Sequence, residues 1–177
     1  MAGVAFWTKA LGSVFILCAG ALGGNRMAAK LEKQLDELSR FELALLTLSN
    51  EISYSLSSLP KALVNAGHKV GGDTGTLFTL IGSLCGLEQR RTVEEGFRLA
   101  LEQAEGLDLP GCVVEIMGSL VKNLGVWGSK EQVSFIDMAL GETRNYRACV
   151  QEEYLKKARM YRSLGLLFAL GIVIVLL

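Results

Sequence analysis

Charge bias is missing from this chain of 177 residues: lysine plus arginine and aspartate plus glutamate both number 18. No surplus of positive charge advertises a nucleic-acid partner. Proline is scarce, with Pro60 and Pro110 the two copies, so long stretches are free to be helical. Histidine occurs once, as His68 in a glycine-rich stretch, so a metal site would have to draw on carboxylates or scattered thiols. The cysteines, Cys18, Cys85, Cys112 and Cys149, lie far apart, and Cys18 sits in an apolar run. That spacing fits reduced thiols in helices better than a disulfide framework or a zinc site. Period-2 alternation bounded by turn signals is absent, so no sheet is expected. Internal repeats and low-complexity linkers are absent too. Half the residues are hydrophobic and 20% are charged, which excludes a disordered chain, and the length suits one domain.

What the chain does have is an apolar run at each end. After Lys9 it reads ALGSVFILCAGALGG, and the segment from Val4 to Gly24 is long enough to cross a bilayer with Trp7 and Lys9 at the interface. The other end, Ser163 to Leu177, reads SLGLLFALGIVIVLL. As a helix it spans roughly 22 Å, short of a core of about 30 Å unless Met160 and Tyr161 join it and the flanking arginines snorkel. Arg26, Lys30 and Lys33 follow the first run, and Lys156, Lys157, Arg159 and Arg162 precede the second. The positive-inside rule then places the middle of the chain in the cytoplasm and both ends outside. Two other readings stand beside this one. The first run could be a signal peptide with Ala19-Gly20-Ala21 as its cleavage site, although the basic cluster after it disfavours export. Both ends could instead be core helices of a soluble protein, against which the bare GIVIVLL terminus argues.

Between the ends, the pattern is helical throughout. Leu31, Leu35, Leu38, Phe41, Leu45, Leu48 and Ile52 recur at spacings of three and four, with Glu32, Lys33, Asp36, Glu37 and Arg40 on the expected wet face. Ser58 to Ala66 reads as a short helix, with Pro60 in its first turn and Gly67 at its end. His68 to Gly75 is expected to be a loop. Leu77, Leu80, Ile81 and Leu84 mark a third helix. Thr92 and Glu95 form a capping-box pattern that starts a fourth, with Val93, Phe97, Leu101 and Ala104 facing in. Gly106 to Leu109 is a turn, and Pro110 opens a fifth helix with Val113, Ile116, Met117, Leu120 and Leu124 inside. Gly125 to Gly128 breaks it. Ser129 and Gln132 give a second capping-box pattern, leading into one very long helix with a stripe of Val133, Ile136, Leu140, Val150 and Tyr154, interrupted at Arg147. The expected fold is all-α: a six-helix bundle forming a cytoplasmic domain over 26–160. Its two long helices, side by side and antiparallel, continue into membrane segments at 1–25 and 161–177.

Chemistry is hard to find. Gly71-Gly72-Asp73-Thr74-Gly75 lacks the lysine and the preceding strand of a phosphate-binding loop. Glu94-Glu95 and Glu152-Glu153 are adjacent in sequence and so point apart on a helix. No nucleophile–base arrangement stands out, and neither an enzyme, a cofactor nor a metal is expected. Arg147 is expected to snorkel or to pair with a buried carboxylate such as Glu51.

One layout of weak signals becomes specific in combination: the N-terminal apolar segment; Leu48-x-x-Glu51-Ile52-x-Tyr54 followed by Pro60; Leu124-Gly125 with Gln132 after it; and Met160-Tyr161-x-x-Leu164-Gly165 leading into GIVIVLL. In order, spacing and total length this resembles the stage III sporulation protein AB family of endospore-forming bacteria, over nearly the whole chain. Trp127-Gly128 departs from the more polar, often acidic turn of that family. The resemblance implies structural or interaction roles for Glu51, Tyr54, Pro60, Leu124, Gly125, Gln132 and Gly165. It also implies a platform like that of type II secretion and type IV pilus systems, coupling a secretion-type ATPase (stage III sporulation protein AA-like) to stage III sporulation channel proteins. The implied location is the mother-cell membrane surrounding the forespore, with the domain facing the mother-cell cytoplasm; self-association into a homo-oligomer stays open. The competing reading is a membrane-tethered helical adaptor or scaffold of envelope assembly with no ATPase partner.

The stripe from Leu31 to Ile52 should be the spine of the core. Leu45→Asp would then bury an unpaired charge at a cost of several kcal/mol, roughly 3–5 on the general scale. Residues 26–160 should fold as a helical domain while this variant does not, as read by circular dichroism; equal melting would place Leu45 on the surface.

Overall fold

The computed structural model describes residues 32–54, 57–87, 91–104 and 106–176, the side chains of 87 and 157–176 excepted. Among the described residues there are six helices and no strand. They are α1 over 32–54, α2 (Leu59–Val70), α3 (Gly72–Leu87), α4 (Val93–Gln103), α5 (Gly111–Val121) and α6 (Ser129–Leu176). The chain divides into two compact units, Gln34–Cys149 and Met1–Lys33 with Val150–Leu177. Among the described residues no helix is long and apolar enough to cross a membrane. The first apolar run, Val4 to Gly24, lies outside the described residues. The second is helical as far as Leu176, and its side chains lie outside them as well.

In the unit Gln34–Cys149, all six helices contribute to one core. The predicted stripe of α1 supplies Leu38, Phe41, Leu45 and Leu48, each with no exposed surface, joined by Ala44. Leu35 and Ile52 are half-buried at its ends. Phe41 meets Phe78 of α3 edge to face, with centroids 6.0 Å apart. The five predicted inward residues after Pro110, namely Val113, Ile116, Met117, Leu120 and Leu124, are all buried. On α4, Val93, Phe97 and Ala100 are buried, and Leu101 and Ala104 lie half-buried beside them. Ile136, Ala139 and Leu140 bring α6 into the same core.

The stretch from His68 to Gly75 is not a loop. Helix α2 runs on to Val70, a single residue, Gly71, separates it from α3, and Gly67 is buried inside α2 rather than ending it. Gly71 and Gly72 have φ of 62° and 69°, the left-handed conformation that lets the chain reverse in so few residues. Gly67 is a contact position: a Cβ there would collide with Thr79 and with the Gly75 carbonyl. A Cβ on Gly75 would lie 2.6 Å from the Gly67 carbonyl oxygen, and one on Gly82 would lie 2.6 Å from that of Pro60. The two helices therefore pack antiparallel, backbone against backbone, along a seam of glycines.

Glu37 also departs from expectation. It is 4% exposed rather than on the wet face. Its Oε2 accepts from the Thr74 amide at 2.9 Å and the Thr74 hydroxyl at 2.6 Å, and its Oε1 accepts from the Asp73 amide at 3.4 Å. These are free N–H groups at the start of α3, where a carboxylate is also favoured by the helix dipole. One turn further along α1, Arg40 donates to the Val70 carbonyl at 2.7 Å, at the C-terminus of α2 where positive charge is favoured. The acid and the base together hold both sides of the Gly71–Gly72 reversal.

Removing the Glu37 side chain would take the acceptor from the buried Thr74 amide and hydroxyl. Glu37→Ala should lower stability by about 3 kcal/mol, and Arg40→Ala, whose guanidinium is solvated and whose loss frees the Val70 carbonyl and Asp36, by clearly less. Urea unfolding followed by circular dichroism reads both; equal, negligible losses would mean that the reversal holds without its clamp.

Candidate functional site

At the end of the bundle where α2 begins, four segments surround a cleft of about 530 Å³. Ser58, Leu59 and Pro60 come from the start of α2, Cys85 and Gly86 from the end of α3, Arg91, Thr92 and Val93 from the start of α4, and Leu124, Gly125 and Val126 from the turn after α5. Each segment is fixed locally. Pro60 lies in the first turn of α2, where its missing N–H costs no hydrogen bond, and Ala62 bonds back to the Ser58 carbonyl at 2.9 Å. The predicted capping box at α4 is present: the Glu95 amide donates to Thr92 Oγ1 at 3.2 Å, and the Thr92 amide to Glu95 Oε2 at 3.1 Å. Arg91 donates to the Leu84 carbonyl at 3.3 Å, tying the start of α4 back to α3.

The fourth wall is the turn over 122–126. Gly125 has φ of 80°, and Leu124 beneath it is 2% exposed. Beyond it, Val126 and Trp127 are 70% and 55% exposed, two large apolar side chains in succession on the surface. Gln132 braces them by donating to the Trp127 carbonyl at 2.7 Å. The capping box expected for α6 does not form with Ser129 as its cap, because the helix already includes Ser129 and the Gln132 side chain is committed to Trp127.

Chemically the cleft is a shape with mostly apolar walls, to which Ser58, Arg91 and Thr92 add polar groups. No carboxylate lines it. The Cys85 thiol points to the Thr92 carbonyl at 3.6 Å, and its pKa is raised, chiefly by burial, which keeps it protonated and a poor nucleophile. Burial likewise raises the Cys112 thiol on α5. Among the described residues no group of three or more metal-ligating side chains could hold an ion. The arrangement suits binding by contact.

Of the residues singled out in the sequence, Pro60, Leu124 and Gly125 come together in the cleft, and Gln132 supports its rim. Glu51 is elsewhere, half-buried on α1 and accepting from Asn65 Nδ2 of α2 at 3.3 Å. Tyr54 is 85% exposed. Gly165 is within α6, and its surroundings lie outside the described residues. Arg147 pairs with a carboxylate, but with Glu42 rather than Glu51, at 2.9 Å. Cys85 and Arg91 escaped sequence reasoning; the Thr92–Glu95 pattern was the one signal close to them.

The family model for stage III sporulation protein AB matches residues 9–177. The chain belongs to the stage III sporulation protein AB family. It is thereby a sporulation-associated protein. It is 25% identical to the stage III sporulation protein AB of Bacillus subtilis (strain 168) over 174 residues, covering 96% of this chain and 99% of that one. A solved structure of a stage III sporulation protein AB superposes with a TM-score of 0.61 at 18% identity, covering 70% of this chain and 97% of the other. At that identity the likeness is one of fold, and the fold shared within the family is this helical one.

The thiols give a test of the local geometry. Cys85 and Cys112 are buried and Cys149 is exposed. In the folded chain iodoacetamide should modify Cys149 while Cys85 and Cys112 react only after denaturation, as read by peptide mass spectrometry; rapid native labelling of Cys85 would mean that the cleft opens as far as α3.

Proposed function

We propose that this chain is a membrane-anchored platform component of the complex joining mother cell and forespore, coupling a cytoplasmic secretion-type ATPase to channel components. The observation that carries the reading is membership of the stage III sporulation protein AB family along residues 9–177. The apolar runs at both ends supply the anchors, and the basic residues on their inner sides favour a domain in the mother-cell cytoplasm beneath the membrane around the forespore. The cleft and its rim supply a surface. A tryptophan on a braced turn beside a preformed apolar hollow is the kind of group that anchors a protein partner. The partner in this reading is an ATPase of the stage III sporulation protein AA type, with the channel proteins beyond the membrane.

Two measurements test the proposal. Full-length protein in detergent should retain the purified ATPase in a pull-down, and Trp127→Ala should weaken that retention about thirtyfold, the loss of a contact of about 2 kcal/mol. No retention by the unaltered chain would favour the adaptor without an ATPase. Binding unchanged in Trp127→Ala would move the contact elsewhere on the domain. Topology is read at Cys149, the exposed thiol, because Cys85 and Cys112 are shielded on either side of a membrane. A membrane-impermeant maleimide should reach Cys149 only after permeabilisation, and labelling of intact cells would reverse the orientation.

A further inference from the structure

Past Thr143 the way α6 is held changes. Ile136, Ala139, Leu140 and Thr143 are buried, whereas none of the residues from Arg144 to Cys149 is. Polar contacts hold this stretch. Arg144 Nε lies 2.7 Å from Glu42 Oε1, and Arg147 Nη1 lies 2.9 Å from Glu42 Oε2 and 3.4 Å from Ser39 Oγ. Tyr146 meets the Cys112 thiol. Ser39, three residues before Glu42, thus meets the arginine three residues after Arg144, the pairing order of antiparallel helices.

The three charges are unequally placed. The Glu42 side chain is 13% exposed, against 53% for Arg144 and 39% for Arg147. Arg144 makes an aligned hydrogen bond, but the buried Glu42 Oε2 receives none, so Arg147 is held there by charge toward Glu42 and by its bond to Ser39. A carboxylate this enclosed requires its counter-charges while α6 covers it. When residues 144–149 lift from α1, water reaches all three groups and no charge is stranded. The closed arrangement leaves Glu42 Oε2 paired by charge but without a hydrogen bond, and the open one hydrates it, so the two lie close in free energy with little apolar surface between them. We propose that Glu42, Arg144 and Arg147 form a releasable electrostatic latch, closed with residues 144–149 of α6 along α1, and open with that stretch lifted while 136–143 stay packed. It is a two-state element of the kind that competing charge can bias.

Electron–electron double resonance on the full chain in detergent tests this. Spin labels go on the exposed Cys149 and on Asn50→Cys of α1, with Cys18→Ser and, because lifting Tyr146 would uncover it, Cys112→Ser; Cys85 is buried and stays unlabelled. The unaltered latch should give one dominant short distance. Glu42→Gln should raise the ratio of a longer population to the short one about tenfold, the effect of losing a charge-assisted bond. Glu42→Arg combined with Arg144→Glu and Arg147→Glu should restore the short distance. Helix melting by circular dichroism should stay cooperative in Glu42→Gln. An unchanged distance distribution in Glu42→Gln overturns the latch. If that variant does not fold, Arg144→Gln with Arg147→Gln, which alters only the half-exposed groups, decides between the same two results.

Discussion

A carboxylate enclosed by protein and aimed at the first free amides of a helix is a strong geometric constraint, because it has few other ways to be satisfied. Glu37 imposes that constraint on this chain. Its bonds to Thr74 and Asp73 set the level at which α3 starts against α1, and Arg40, bonded to the last turn of α2, sets where α2 stops. With both ends of the reversal fixed to α1, the α2–α3 pair presents Phe78 to Phe41 and delivers Pro60 and Cys85 together at the far end. The cleft there depends on the bonds that Glu37 and Arg40 make at the other end of the same two helices.

Periodicity revealed much of this fold because it reports which residues must leave water. The α1 stripe, the inner face of α5 and the α4 cap each arise from neighbours within a turn or two, where helical spacing acts directly. What escaped came from contacts distant in the chain. Glu37 lies among charged residues and so reads as wet; its partners are 36 and 37 residues away. Gly67 reads as a stop because glycine often ends helices, whereas here it admits a neighbouring backbone. By sequence Arg147 is expected to snorkel or to pair with a carboxylate such as Glu51; its partner, Glu42, lies 105 positions away in the chain and no local pattern points to it.

The candidate site was legible only in fragments. Pro60, Leu124 and Gly125 drew notice through the family pattern, but their meeting place is made by the bundle, with Cys85, Arg91 and Val93 arriving from α3 and α4. Trp127 was noticed as a departure from the family's polar turn. Its exposure beside the cleft puts a flat, apolar group on the rim.

The glycine seam between α2 and α3 has a consequence for how the hairpin finds its alignment. Each residue turns a helix by about 100°, so sliding either helix by one position swings every glycine out of the seam and a bulkier neighbour in. Flanking Gly75 are Thr74 and Thr76, and flanking Gly67 are Ala66 and His68. Their side chains cannot occupy a gap in which even a methyl group collides. Mismatched pairings are thus rejected by steric exclusion rather than outcompeted by attraction. The seam works like the notches of a key, which select one depth of insertion whatever the strength of the hand that turns it.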